Sequence, residues 1–118
     1  MRTTLILIPV LALPLLGTGN ADAHAFLDHA NPRVGAAVSA APREVTVWFT
    51  QKLEPAFSGL RVTNAAGERV DTGGTRVNGN VMSVTLRPGG TGTYRVDWKV
   101  LSVDTHTTEG SFTFRVGQ

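Results

Sequence analysis

An all-β domain, an antiparallel sandwich of about seven strands with Greek-key connections, is what this sequence predicts, and three observations carry that expectation. Short segments alternate apolar and polar residues with a period of two. Turn signals rich in Gly, Pro and Asn separate those segments every several residues. No stretch after residue 23 carries a sustained helical period.

The strand over 44–50 sets Val45, Val47 and Phe49 on one face and Thr46, Trp48 and Thr50 on the other. Residues 53–58 hold the one hint of a helical turn, because Glu54-Pro55 suits a first turn. A strand over 59–64 repeats the alternation with Leu60 and Val62, and Asn64-Ala65-Ala66-Gly67 turns the chain. Residues 71–79, rich in Gly, Thr and Asn, read as a loop or a short edge strand. Val81 to Leu86 puts Met82, Val84 and Leu86 toward the core, and Arg87-Pro88-Gly89-Gly90 breaks that strand. The clearest strand covers 93–103, with Tyr94, Val96, Trp98 and Val100 on one side and Arg95, Asp97 and Lys99 on the other. The last, over 110–116, buries Phe112, Phe114 and Val116. Trp98 reads as a core aromatic. Trp48 lies opposite the apolar face of its strand, either covered by a loop or exposed for a partner.

Ahead of this domain stand a basic start at Arg2, an apolar run from Leu5 to Leu16 and the A-x-A signal Ala21-Asp22-Ala23. That is the pattern of a secretory signal peptide over residues 1–23. The run is too short to span a bilayer and contains Pro9 and Pro14. Cleavage after Ala23 leaves 95 of 118 residues, 24–118, enough for one domain with a single core. The expected product is exported, soluble and periplasmic, and a monomer.

The chain has no cysteine. Core packing alone must hold the domain, and thiolate zinc and iron–sulfur sites are excluded. The net charge is +2, and its cations are scattered without interleaved aromatics, so nucleic acid is not an expected partner. No serine or cysteine sits in a recognisable nucleophilic setting, and no catalytic residue is assigned.

The chemistry gathers at two distant places. Cleavage would give His24 a free α-amine beside its imidazole. An α-amine titrates at about pH 8, roughly two units below a lysine amine, so a metal ion displaces its proton at modest cost near neutrality. Amine and ring can then close one chelate. Downstream, Asp104-Thr105-His106 offers a carboxylate and a second imidazole. In an extended segment residues i and i+2 share a face, so Asp104 and His106 would project together with Thr105 turned away. The pair alone is a weak signal, and a hydrogen-bonded Asp–His pair on a surface loop is its plain alternative. Joined to His24 it makes three nitrogens and one oxygen, a tetragonal set that Cu(II) prefers and that Zn(II) would fill more weakly.

These residues carry a resemblance. His24-Ala25-Phe26-Leu27 with Asn31-Pro32 and Gly35 resembles the start of mature CopC-type copper-binding proteins. Tyr94-Arg95-Val96-Asp97-Trp98, Ser102-Val103-Asp104-Thr105-His106 and Gly110-Ser111-Phe112-Thr113-Phe114 resemble that family's C-terminal signature. The resemblance spans essentially all of 24–118; its two ends are specific and its middle is not. It implies a periplasmic Ig-like β-sandwich binding one Cu(II) per chain through His24, by amine and ring, Asp104 and His106. It implies a part in copper resistance or delivery, often beside a CopD-type inner-membrane copper transport protein.

The chain departs from the family pattern in two respects. Some members carry a methionine-rich loop for Cu(I), whereas here Met82 is the one methionine after residue 23, and it is expected in the core. Some members place a glutamate after the phenylalanine strand, where this chain has Thr50-Gln51. Gln51 can hydrogen-bond near the metal but brings no charge. His29, five residues after His24, reads as an exposed strand-end side chain, with an auxiliary ligand or a contact to a partner as the functional alternatives.

The expected function is a non-catalytic Cu(II) carrier or buffer. A second reading is a copper redox enzyme, since an N-terminal histidine chelate resembles the histidine brace of copper polysaccharide monooxygenases. Against it, Asp104 would fill a position that oxygen activation needs open. A third is a structural or adhesive sandwich domain without metal.

Overall fold

The computed structural model describes residues 25–117. Eight strands form two four-stranded sheets. They are β1 (Leu27–Asn31), β2 (Ala37–Val38), β3 (Glu44–Phe49), β4 (Gly59–Thr63), β5 (Asp71–Asn78), β6 (Val81–Leu86), β7 (Gly92–Leu101) and β8 (Thr107–Val116). One sheet runs β1-β3-β6-β5 and the other β2-β8-β7-β4. The chain passes repeatedly from one sheet to the other, so the layers are stitched by crossovers as well as hairpins. Among the described residues the one helical element is a single 3₁₀ turn, Pro55–Phe57, where Glu54-Pro55 leads the sequence to expect it. Among the described residues no helix is long and apolar enough to cross a membrane.

The alternating faces meet as their periodicity demands. Val45, Val47 and Phe49 of β3 and Met82, Val84 and Leu86 of β6 are buried against Leu60 and Val62 of β4, Tyr94, Val96 and Val100 of β7, and Phe112, Phe114 and Val116 of β8. Met82 is fully buried, as the alternation of its strand requires. Trp98 is half-buried, packs on the core and meets Phe49 edge-on at 5.2 Å between ring centroids. The Tyr94 hydroxyl donates to the Gly90 carbonyl at 2.7 Å, and a Cβ at Gly89 would collide with that hydroxyl. This is the tyrosine corner of Ig-like sandwiches, which pins the crossing from one sheet to the other.

Several elements depart from the sequence expectation. The strand count is eight because β1 and β2 are both short and carry no long alternation to announce them. β2 also pairs parallel with β8, so the fold is not wholly antiparallel. Residues 71–78 are a full edge strand despite Gly73 and Gly74, both at positive φ, where the ladder is irregular between Thr72 and Arg76. This strand also shields the other sheet's edge. Thr75 Oγ1 accepts the Leu60 amide at 3.0 Å and Asp71 Oδ1 accepts the Val62 amide at 2.8 Å, so β4 does not present a bare row of donors. Burial pushes the Asp71 carboxyl up, but Arg69 and the Val62 amide outweigh it and hold the group below the usual carboxylate range.

Candidate metal centre

β7 and β8 form a long hairpin in register from Gly92↔Val116 to Leu101↔Thr107. At its tip the chain turns over 102–106. The Ser102 amide donates to the His106 carbonyl at 3.0 Å, and the Thr105 amide to the Ser102 carbonyl at 2.8 Å. Closing so tight a loop places Thr105 in the left-handed region, at φ 74°. A β-branched residue is strained there. The extended Asp-x-His segment expected from the sequence is not what forms: β7 ends at Leu101, and a turn rather than a strand brings the two side chains together.

They do come together. Asp104 Oδ1 lies 3.4 Å from His106 Nδ1, with the two side chains 39 % and 47 % exposed. The Asp104 carboxyl is held below the usual carboxylate range, first by the Ser102 hydroxyl that donates to Oδ1 and then by His106, against a smaller opposing effect of desolvation. Ser102 itself is fully buried. Sequence reasoning missed it as a functional residue, although the signal was present. It is the next member of the inward row 94, 96, 98, 100, and the only one that is neither aromatic nor aliphatic.

Two other segments brace this tip. Residues 50–54 run alongside: the Val103 amide donates to the Lys52 carbonyl at 3.0 Å, the Glu54 amide to the Leu101 carbonyl at 2.8 Å, and Leu53 bridges Ser102. Gln51, half-buried, lies within that segment. The start of the described chain also docks here. Ala25 is fully buried, and its carbonyl accepts the Thr108 hydroxyl at 2.5 Å, two residues beyond His106. Phe26 and Thr50 exchange bonds, Phe26 amide to Thr50 Oγ1 and Thr50 amide to Phe26 carbonyl, each 2.9 Å. The segments 25–26, 50–54 and 102–108 therefore meet at one end of the sandwich.

His24 lies outside the described residues. Among the described residues no group of three or more His, Asp or Glu side chains converges, so Asp104 and His106 stand as a pair. A carboxylate and an imidazole at this distance can supply one oxygen and one nitrogen to a divalent ion.

His29 occupies a different place. It sits on β1 opposite Trp48, and the two rings stack at 4.4 Å with 10° between their planes. The Trp48 ring, whose cover the sequence leaves undecided, is overlaid on one face by the His29 ring. His29 Nδ1 is 3.0 Å from Asp28 Oδ2, and both side chains are largely exposed.

The chain matches the family model of the CopC domain over residues 27–117. It is 38 % identical over 108 residues to protein YobA of Escherichia coli K12, covering 86 % of this chain and 85 % of that one. It is 34 % identical over 116 residues to copper resistance protein C of Xanthomonas campestris pv. juglandis, covering 91 % of each. Among solved structures it resembles CopC of Methylosinus trichosporium OB3b, with a TM-score of 0.73 at 30 % identity, covering 79 % of this chain and 93 % of that one.

Proposed function

The chain belongs to the CopC family, and from that premise we propose that it is an exported Cu(II)-binding protein of copper resistance, holding one ion at His24, Asp104 and His106. Copper is here the cargo. Residues 1–23 are a signal peptide on this reading, and cleavage after Ala23 makes His24 the first residue of the working protein. Its α-amine and ring, the His106 ring and the Asp104 carboxylate then supply three nitrogens and one oxygen, a set suited to Cu(II). Thioether ligation of Cu(I) has no support, because Met82 is buried in the core.

One observation carries the reading most directly. Ala25 is the covalent neighbour of His24, and its carbonyl is bonded to Thr108, two residues from His106. A peptide step advances the chain by about 3.8 Å, so the bond supports a meeting of His24 with the tip of the β7–β8 hairpin. The ionised state of Asp104 supports it too, since a carboxylate held low needs little proton displacement to accept a cation. On this reading the domain is a carrier or buffer of the ion, working beside a CopD-type inner-membrane protein. It has no catalytic residue on this reading.

The test is a Cu(II) titration of two proteins, one beginning at His24 and one retaining residues before it. The first binds one equivalent tightly, with an electron paramagnetic resonance spectrum of a tetragonal nitrogen–oxygen site. The second loses the amine donor and binds far more weakly. Equal affinity in the two would remove His24 from the site.

A further inference from the structure

Position 102 of the β7 face is where a core pattern gives way to a polar group. Tyr94, Val96, Trp98 and Val100 precede it on the same side of the strand, and Ser102 is as fully buried as Val100. Burying a hydroxyl is unfavourable unless it is well bonded. Here it is bonded on every side. Ser102 Oγ donates to Asp104 Oδ1, accepts the His106 amide at 3.3 Å and lies 3.2 Å from the His106 carbonyl. A hydroxyl has one proton to give. Between a carboxylate and a carbonyl the carboxylate takes it, because charge-assisted bonds are the stronger. One buried side chain thus touches both residues of the Asp-x-His pair.

That contact has a consequence for ligation. Oδ1 of Asp104 is engaged by Ser102 and faces His106 Nδ1 at 3.4 Å. The His106 amide also favours the ionised carboxylate, and with Oδ1 taken by Ser102, Oδ2 is the oxygen left to meet an ion. The exposed Asp104 side chain would otherwise sample several rotamers and lose that freedom on binding. The buried hydroxyl removes it beforehand. The same hydroxyl receives the His106 amide, so the two groups are fixed relative to each other and to the rigid end of β7.

We infer that Ser102 is the positioning residue of the metal site: its buried hydroxyl holds Asp104 through Oδ1 and ties it to His106, so that the carboxylate meets Cu(II) through Oδ2 in a single preset orientation. This rests on the copper reading above. Ser102 touches the ligands and not the ion. The partners that orient ligands typically govern metal affinity by about 10- to 100-fold.

The experiment compares Ser102→Ala and Ser102→Thr with the unaltered protein, all beginning at His24. Cu(II) affinity is measured by competition, the site by electron paramagnetic resonance, and the metal-free fold by circular dichroism and melting temperature. Ser102→Ala is expected to weaken binding by about 10-fold or more and to change the copper hyperfine splitting. Ser102→Thr, which keeps the hydroxyl, is expected to restore both. A lower melting temperature in Ser102→Ala with affinity and spectrum unchanged overturns the inference, since the role is then structural alone. Equal weakening in Ser102→Thr overturns it as well. If Ser102→Ala does not fold, the threonine variant decides: the parent spectrum supports the inference and an altered one overturns it. Absence of tight Cu(II) binding in the unaltered protein is a separate result, which sinks the copper reading itself.

Discussion

Two aspartate–histidine pairs sit on this domain, and only one of them is built like a site. Asp28 and His29 are neighbours on β1, 3.0 Å apart, while Asp104 and His106 face each other across a turn at 3.4 Å. By distance alone the first pair is the better contact. It differs in its surroundings. His29 spends a ring face on Trp48, and the carboxylate of Asp28 is more exposed than that of Asp104. Asp104 is gripped by a buried serine, and its loop is braced by residues 50–54 and lies beside the docked Ala25. The contrast teaches that what sets one Asp–His contact apart from another is the set of groups that fix it in place.

The strongest way to break this contrast is to remove one histidine from each pair. His106→Ala is expected to weaken Cu(II) binding by about 100-fold or more, beyond the usual effect of losing a supporting residue. His29→Ala is expected to change it by less than about 3-fold. Competition titrations of both variants check this. A comparable loss in His29→Ala would place the β1 pair in the site and erase the distinction.

The sequence makes one pair legible for its chemistry and leaves the other ambiguous, for physical reasons. The strands that carry the core were readable because period-two alternation is a direct consequence of the pleat. β2 was not, since two residues paired to β8 leave no pattern. Asp104 and His106 do face each other, as their spacing leads one to expect, but through a different local geometry: left-handed Thr105 closes a turn that no strand periodicity encodes. Ser102 stands in the C-terminal signature without a legible role, because its burial comes only with the packed fold. The stack of His29 on Trp48 is a cross-strand contact between β1 and β3, and needs the register of both strands to be known.

The second prediction sharpens the electrostatic side of the comparison in the metal-free protein. The Asp104 carboxyl is depressed by the Ser102 hydroxyl and by His106. The sign follows from linkage: a carboxyl whose folded value is lowered adds stability above its unfolded value, about 3.9, and that contribution is lost as the pH falls through the lower folded value. Asp104 is thus expected to stay ionised in mildly acidic solution, with its carbon resonance titrating below the ordinary aspartate midpoint. Ser102→Ala moves that midpoint upward. An Asp104 midpoint at or above the ordinary value would show that the Ser102 hydroxyl and His106 do not favour the ionised carboxylate in solution.

The smallest effect separates the stack from the site. The His29–Trp48 pair is parallel and exposed on one side, so its contribution lies near the low end of aromatic pairs, about 0.5 kcal/mol. For a domain of this size that corresponds to a fall in melting temperature of roughly 2–4 °C in His29→Ala, with a change in Trp48 emission as its cover is removed. The increment from copper is a different matter. An ion that binds only the folded state adds about 2.7 kcal/mol at 100 times its dissociation constant, wherever else the protein has been weakened. His29→Ala is therefore expected to melt lower than the parent by the same few degrees with and without Cu(II). If the copper increment itself shrinks, the stack and the site are coupled, and the β1 histidine belongs to the chemistry after all.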